Sequence, residues 1–161
     1  MNRFIAILIS LILAIGIQSC KAASEEPAQA KIPSFRNDGK LEIHSSSGAL
    51  KATFDIEIAE REAELMQGLK YREKMEAGQG MLFIFEQVDY HSFWMQDTYL
   101  SLDMIFIDHN NTVVSIAKNT TPYSEEPIFP DMPNKYVLEV LAGTTDRLNI
   151  KESDIVTWKR N

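Results

Sequence analysis

The chain has 161 residues, of which 16 are Lys or Arg and 23 are Asp or Glu, so its formal net charge at pH 7 is −7. This acidic balance argues against nucleic-acid binding, because phosphate recognition needs clustered Lys and Arg. It also argues against electrostatic adhesion to anionic lipid. The length suits one domain with a hydrophobic core of its own.

The N-terminus predicts export and a lipid anchor. Arg3 precedes an almost wholly apolar run over residues 4–17, which is shorter than the ~20 residues of a membrane-spanning helix and fits the core of a secretory signal. The sequence Ile17-Gln18-Ser19-Cys20 follows at once and resembles the bacterial lipobox, in which the cysteine becomes lipidated. An ordinary signal peptide with an unrelated cysteine and an uncleaved anchor are the alternatives.

These features divide the chain into three parts. Residues 1–19 are predicted to be a lipoprotein signal peptide, residues 20–39 a flexible tether after the lipidated Cys20, and residues 40–161 a single globular domain. Cys20 is the only cysteine, so no internal disulfide can form. We therefore expect an exported protein with a monomeric domain, held in the cell envelope by its lipid on the periplasmic or surface side.

The first half of the domain is predicted to contain three strands and a helix. Residues 52–59 alternate, with Phe54, Ile56 and Ile58 pointing to one side and Thr53, Asp55 and Glu57 to the other, which predicts a half-buried strand. Residues 41–44 predict a weaker strand before it. Residues 60–67 change to a helical period, and Gly68 is suited to end the helix. Residues 81–85 are continuously apolar, as in a strand covered on both faces.

The second half contains further short elements. Strands are predicted over residues 92–96, 102–108, 112–118, 136–141 and 155–158, and a short helix is predicted over residues 144–149. Many short strands with two small helices indicate a β-rich α+β domain. We expect a compact, mostly antiparallel, small barrel-like sheet, closed or half-closed.

Two carboxylates lie on otherwise apolar strand faces. Asp103 shares its face with Ile105 and Ile107, and Glu139 shares its face with Val137 and Leu141. Because a carboxylate on such a face is costly without a partner, each predicts a partner, for which Arg72 and Arg147 are the best candidates. Two interpretations are open: a pocket that uses Asp103 and Glu139 as acid, base or ligand clamp, or a purely structural role.

The cluster Phe93-Trp94-Met95 has core packing as its ordinary explanation, although Trp94 could instead stack on a flat ligand. A soft copper site formed by His91 with Met95, Met81 and Met104 is conceivable, but methionine is more often a core residue. We expect no metal and no cofactor. The sequence contains no phosphate-binding loop and no nucleophile elbow.

Four stretches together resemble a known family. They are GMLFIF at residues 80–85, FWMQDT at 93–98, LDMIFI at 102–107 and YVLEVLAGT at 136–144. In this order and spacing they resemble the domain of unknown function 192 (DUF192), and Gly68-Leu69 and Arg72 also fit. Lys70, Asp97, Ser101 and Ser153 depart from the family's usual Met, Asn, Pro and Gly. The resemblance implies a compact β-rich domain and implies no activity.

Three functional hypotheses follow. The leading one is a lipid-anchored extracytoplasmic domain that binds a small molecule or a cell-envelope partner without catalysis. A hydrolase or lyase acting on an envelope polymer through Asp103 and Glu139 is the main alternative, and a structural partner-binding lipoprotein without a pocket is the third. The candidate ligand-binding residues are Arg72, Trp94, Thr98, Asp103 and Glu139.

Overall fold

A computed structural model describes residues 34–161. The signal peptide, Cys20 and nearly all of the proposed tether therefore lie outside the described residues. In the described part, no helix is both long enough and apolar enough to cross a membrane.

The described chain forms one mixed sheet and two short helices. In chain order the elements are β1 (Gly39–His44), β2 (Leu50–Ala59), α1 (Glu62–Gln67), β3 (Gln79–Asp89), β4 (Leu102–Ile107), β5 (Val113–Ala117), β6 (Asn134–Leu141), α2 (Thr144–Arg147) and β7 (Ile155–Arg160). The strand order in the sheet is β5-β4-β6-β3-β2-β1-β7. All neighbouring strands are antiparallel except β2 and β3, which are parallel and are joined through α1.

The sheet curls so that its two ends approach each other without closing into a continuous barrel. An isolated bridge joins Thr112, just before β5, to Ile155 at the start of β7. Val113 N–H donates a 2.9 Å hydrogen bond to the carbonyl of Asp154 in the same region. Strands from both ends of the sheet therefore surround one interior. The predicted fold class, a β-rich α+β domain with a barrel-like sheet, is confirmed in this curled form.

Each face of the curled sheet carries its own hydrophobic cluster. The inner cluster, which includes Phe54, Ile105, Leu138 and Val156, lines the interior. The outer cluster, which includes Phe83, Met95, Phe106 and Val137, is packed against α1 and against residues of the loops on the convex side. Because both faces are covered, β4 is buried along its whole length. The outer cluster is where the candidate site lies.

One predicted strand is absent. Residues 92–96 form a loop that makes a single bridge, between Phe93 and Ile128. The alternation that predicted a strand arises because Met95 is fully buried while Trp94 is 54% exposed. A loop lying across an apolar surface alternates in burial as a strand does, although it has no ladder partner on either side.

Candidate functional site

Asp103 and Glu139 lie on opposite faces of the sheet. On the paired strands β4 and β6, Asp103 is opposite Val140, whereas Glu139 is opposite Met104. Side chains alternate between faces along a strand. Asp103 therefore shares the inner face with Ile105, and Glu139 shares the outer face with Val137. The two carboxylates cannot act on one bond, so the geometry does not support the hydrolase or lyase hypothesis that used them as a pair.

Asp103 is sealed inside the domain and its carboxylate is fully engaged. It is 0% exposed. Its Oδ1 accepts a 2.9 Å hydrogen bond from Asn119 N–H, while Oδ2 accepts bonds from the backbone N–H (2.9 Å) and the hydroxyl (2.7 Å) of Thr145 in α2. The expectation of an arginine partner is wrong for this residue, because backbone and hydroxyl donors provide the compensation.

Arg72 is buried against Glu57. Its Nη2 donates a 3.1 Å hydrogen bond to Oε2 of Glu57, and Nη1 forms an ion pair with Oε1 at 2.7 Å. Glu57 is only 3% exposed. The strand pattern predicted that Glu57 points to solvent, which is wrong because the connection between β2 and β3 covers that end of the outer face. Arg147, the other expected partner, is exposed.

A cavity of about 270 Å³ lies on the outer face, between the sheet, α1 and the neighbouring loops. Its walls combine apolar, aromatic and a few polar side chains. The lining residues are Leu65, Met66, Gln67, Gly68, Leu69, Lys70, Phe83, Phe85, Ser92, Phe93, Trp94, Thr98, Pro127 and Glu139. Three of the five predicted ligand-binding residues, Trp94, Thr98 and Glu139, are thus brought together here. Asp103 and Arg72 are not among the lining residues.

The roof of this cavity depends on the end of α1. The helix begins where Glu64 accepts a 3.1 Å hydrogen bond from Arg61 N–H. It ends at Gly68, whose φ of 47° lies in the left-handed region that favours glycine. A Cβ at Gly68 would stand 3.3 Å from Cζ of Phe83. The missing side chain therefore lets the helix end lie close to the aromatic wall.

Glu139 lies at the sheet side of the cavity with no partner. It is 4% exposed, and among residues 34–161 no hydrogen bond or opposite charge compensates its carboxyl group. Burial alone raises the pKa of Glu139 to about 8, because removal from water penalises the charged form. At neutral pH the side chain is therefore mostly a protonated acid that can donate one hydrogen bond. The expected arginine partner of Glu139 is absent, because Arg72 pairs with Glu57.

Trp94 and Lys70 mark the opening of the cavity. Trp94 is one of the most exposed large side chains near it, and the ammonium group of Lys70 lies 5.9 Å from the centre of the Trp94 ring. Thr98 is buried, and its N–H donates a 3.0 Å hydrogen bond to the carbonyl of Met95. The site thus has the exposed indole of Trp94 and the ammonium group of Lys70 at its opening and the unpaired carboxyl group of Glu139 inside.

The arrangement suits binding rather than two-carboxylate chemistry. A concave cavity whose walls combine apolar and aromatic side chains with a few polar groups is typical of small-molecule sites. Among residues 34–161, no three His, Cys, Asp or Glu side chains converge on a metal position. His91, the histidine of the copper site considered from the sequence, stacks on Phe85 with ring centres 3.8 Å apart.

Sequence reasoning missed several parts of the site. Phe83, Phe85, Met66 and Lys70 line the cavity, but none of them was a candidate ligand-binding residue. Lys70 carried a usable signal, since it departs from the residue usual at that position in the resembled family. The aromatic residues carried none, because buried phenylalanines look alike on a strand whether they pack against protein or face a cavity.

Comparison with known proteins gives a family and two similar structures. The family model DUF192, described as an uncharacterized ACR, matches residues 42–158. A crystal structure described as that of a "putative transcription regulator" from Sinorhizobium meliloti 1021 is 34% identical, with a TM-score of 0.73, and the match covers 78% of this chain and 97% of that one. A protein of unknown function from Novosphingobium aromaticivorans DSM 12444 is 35% identical, with a TM-score of 0.70 and coverage of 74% and 84%. No curated protein matches the chain.

Proposed function

We propose that this chain, which belongs to the DUF192 family, is a lipid-anchored extracytoplasmic domain that binds a small molecule in its outer-face cavity. The observation that carries the proposal is Glu139, an unpaired carboxyl group buried in the aromatic cavity. Buried polar groups normally have partners within the protein. A group that lacks one and faces an open cavity is suited to a partner supplied by a ligand.

Nucleic-acid binding is the function that the name of the Sinorhizobium meliloti neighbour would suggest for this chain. The charge balance speaks against it, because the formal net charge is −7 and phosphate neutralisation needs clustered positive charge. We therefore expect no change in the mobility of duplex DNA on addition of this protein at physiological salt.

The binding proposal is tested by methionine methyl NMR on the full chain in lipid nanodiscs. Met66 lines the cavity, whereas Met132 is exposed and is not among the lining residues. Titration with benzyl alcohol, benzamide and benzylamine should shift the Met66 methyl signal and leave that of Met132 in place. If none of the three shifts Met66, or if both signals move together, the proposal is wrong.

A pair of matched variants shows whether the binding uses the cavity. Ser92 is exposed and lines the cavity, so Ser92→Trp should fill the opening without disturbing the core. Ser46 is also exposed but lies in the turn between β1 and β2, so Ser46→Trp serves as the control. Fragment binding should be lost in Ser92→Trp only, and equal binding by both variants would contradict a cavity site.

The anchor proposal rests on residues outside the described part of the chain. Ile17-Gln18-Ser19-Cys20 directly follows an apolar segment, and stable anchoring by acyl chains needs no positive surface on the domain. Cys20→Ser should abolish incorporation of labelled fatty acid and release the protein from membranes. Labelling that persists in Cys20→Ser would contradict this proposal and leave the binding proposal untouched.

A further inference from the structure

We infer that the ligand of the outer-face cavity is a small organic ammonium ion whose charged group pairs with Glu139. This inference rests on the proposed function and narrows it to one ligand class. Glu139 is 4% exposed and lines the cavity, and no hydrogen bond or opposite charge among residues 34–161 compensates its carboxyl group.

Glu139 lacks the compensating partner that the neighbouring buried acids have. On the outer face, Glu57 and Glu139 flank Met81 in one row of the sheet, which puts their Cα atoms roughly 10 Å apart at normal strand spacing. Arg72 neutralises Glu57. On the inner face, Asp103 receives three hydrogen bonds. Glu139 alone of these three buried acids is uncompensated, and a ligand cation would supply what the protein gives to the other two.

The walls are suited to a cation. Phe83, Phe85, Phe93 and Trp94 line the cavity, and the faces of aromatic rings attract positive charge. The ammonium group of Lys70 already lies over the Trp94 ring at 5.9 Å. The Trp94 ring at the opening therefore already interacts with one positive charge, that of Lys70, and the ring faces deeper in the cavity are the ones available to a ligand cation. Aromatic rings form a recognised environment for organic ammonium ions, and the carboxyl group of Glu139 adds a partner of opposite charge once it is ionised.

The space limits the ligand to a small one. The volume of the cavity is about 270 Å³. That volume lies below the 300–1,000 Å³ range usual for drug-sized ligands. It holds one ring or a short aliphatic body that carries a single ammonium group. Benzylamine is therefore a suitable probe, and benzyl alcohol is its uncharged counterpart of equal size.

Binding is linked to the release of a proton. In the free protein the carboxyl group of Glu139 carries a proton near neutral pH; binding of the ammonium ion breaks that O–H bond, the proton leaves to solvent, and an ion pair forms between carboxylate and ammonium. The charged groups nearest to this event are Lys70, on the cavity wall, and the Glu57–Arg72 pair one strand beyond β3. Affinity for an ammonium ligand should therefore rise with pH until Glu139 ionises by itself.

The experiment is isothermal titration calorimetry on the full chain in lipid nanodiscs, with benzylamine and benzyl alcohol in phosphate and in Tris buffer. Benzylamine affinity should rise by up to about tenfold per pH unit between about pH 6 and pH 8, as expected for one released proton. Because the buffer takes up the released proton, the observed enthalpies should differ by the difference between the ionisation enthalpies of Tris and phosphate, counted for one proton. Benzyl alcohol should show neither effect.

Glu139→Gln keeps the shape of the side chain and removes its charge. It should lower benzylamine affinity about tenfold or more, because the ion pair is lost, and change benzyl alcohol affinity by less than about twofold. Glu62→Gln, an exposed change on α1, should alter neither. Thermal unfolding of each variant shows that the domain is intact.

Two results separate the ligand class from the binding function. If benzyl alcohol binds as tightly as benzylamine and no proton is released, the ammonium assignment is wrong and the cavity remains a binding site. If neither compound binds and the Met66 methyl signal also stays fixed with benzamide, the binding function itself is contradicted. Equal loss of benzylamine affinity in Glu62→Gln and Glu139→Gln would also overturn the assignment.

Discussion

The inner and outer faces of the sheet treat a buried carboxylate in opposite ways. Asp103, on the inner face, accepts hydrogen bonds from the turn at Asn119 and from Thr145 in α2. Glu139, on the outer face of the neighbouring strand, faces a cavity and accepts none in the described part of the chain. The same sequence pattern, a carboxylate among apolar strand residues, thus marks a structural hydrogen-bond acceptor at Asp103 and a candidate ligand-binding group at Glu139.

The difference indicates which acids are available to a ligand. A carboxylate whose lone pairs are taken by backbone N–H groups is part of the framework, and removing it leaves several buried donors unsatisfied. A carboxylate without partners destabilises the free domain when it ionises, and it gains most from a ligand. Stability and binding measurements should therefore respond oppositely to changes at the two positions.

The largest expected effect is the loss of Asp103. Asp103→Ala should lower the free energy of unfolding by about 3–5 kcal/mol, because it strands the N–H groups of Asn119 and Thr145 and the Thr145 hydroxyl in the interior. Urea denaturation at neutral pH measures this loss. Glu86→Ala, at an exposed position of β3, is the control. A loss below about 1 kcal/mol would show that α2 does not depend on the hydrogen bonds to Asp103.

The next effect is the pH dependence that Glu139 imposes. The pKa of Glu139 rises from 4.5 to about 8 on folding, so between these values the native state holds a proton that the unfolded state has lost. Below about pH 4.5 Glu139 is protonated in both states and does not lower the free energy of unfolding. As the pH rises from about 4.5 to about 8, the free energy of unfolding falls at a limiting slope of about 1.4 kcal/mol per pH unit. Glu139→Gln should remove that slope.

Comparison of Glu139→Gln with the wild type by urea denaturation at several pH values tests this. The variant should gain about 2–4 kcal/mol relative to the wild type between about pH 5 and pH 8, less than the limiting value because the cavity admits some water. A stability difference that stays constant with pH would mean that Glu139 is hydrated or paired in solution. The outer face would then resemble the inner one.

A smaller effect is expected at the roof of the cavity. Gly68→Ala should cost about 1–2 kcal/mol, because a Cβ there is both strained at positive φ and close to Phe83. Gly78 also has positive φ but has open space around its Cβ position, so Gly78→Ala isolates the strain. The cost of Gly68→Ala beyond that of Gly78→Ala measures the contact with the aromatic wall. Only Gly68→Ala should also shift the Met66 methyl signal.

The smallest effect is expected where the two ends of the sheet meet. Ser153 has a φ of 70°, in the left-handed region, at the position where the resembled family usually has glycine. Ser153→Gly should therefore stabilise the domain by about 0.5–1 kcal/mol, seen as a small rise in melting temperature. The cavity should not respond, because this position is not among its lining residues. A loss of stability would mean that the Ser153 side chain makes a contribution larger than the strain.

Local patterns predicted much of the fold. Alternation over residues 52–59, the unbroken apolar run at 81–85 and Gly68 gave β2, the core of β3 and the end of α1. They failed for residues 92–96, where a loop alternates in burial without pairing, and for Glu57, whose apparently solvated side is covered by the connection to β3. Both failures have one cause: burial is set by elements distant in sequence, which periodicity does not report.

For the candidate site, the sequence pattern drew attention to two buried acids but could not assign their partners. Asp103 and Glu139 were recognisable because each breaks an apolar strand face. That they lie on opposite faces follows from strand register, namely Asp103 opposite Val140 and Met104 opposite Glu139, which is a long-range property. Likewise Arg72 was recognised as the cation of a buried pair, but its carboxylate is Glu57, a residue that the alternation had assigned to solvent.

The parallel pairing of β2 and β3 has a consequence for how this domain can diversify. Two parallel neighbours cannot be joined by a tight hairpin, so the chain must cross over from one end of the sheet to the other. Here the crossover contains α1 and residues 68–70, which line the cavity. The parallel topology thus provides the roof of the cavity. Substitutions at positions such as Met66 or Lys70 can therefore change which ligand the cavity binds while every strand keeps its register.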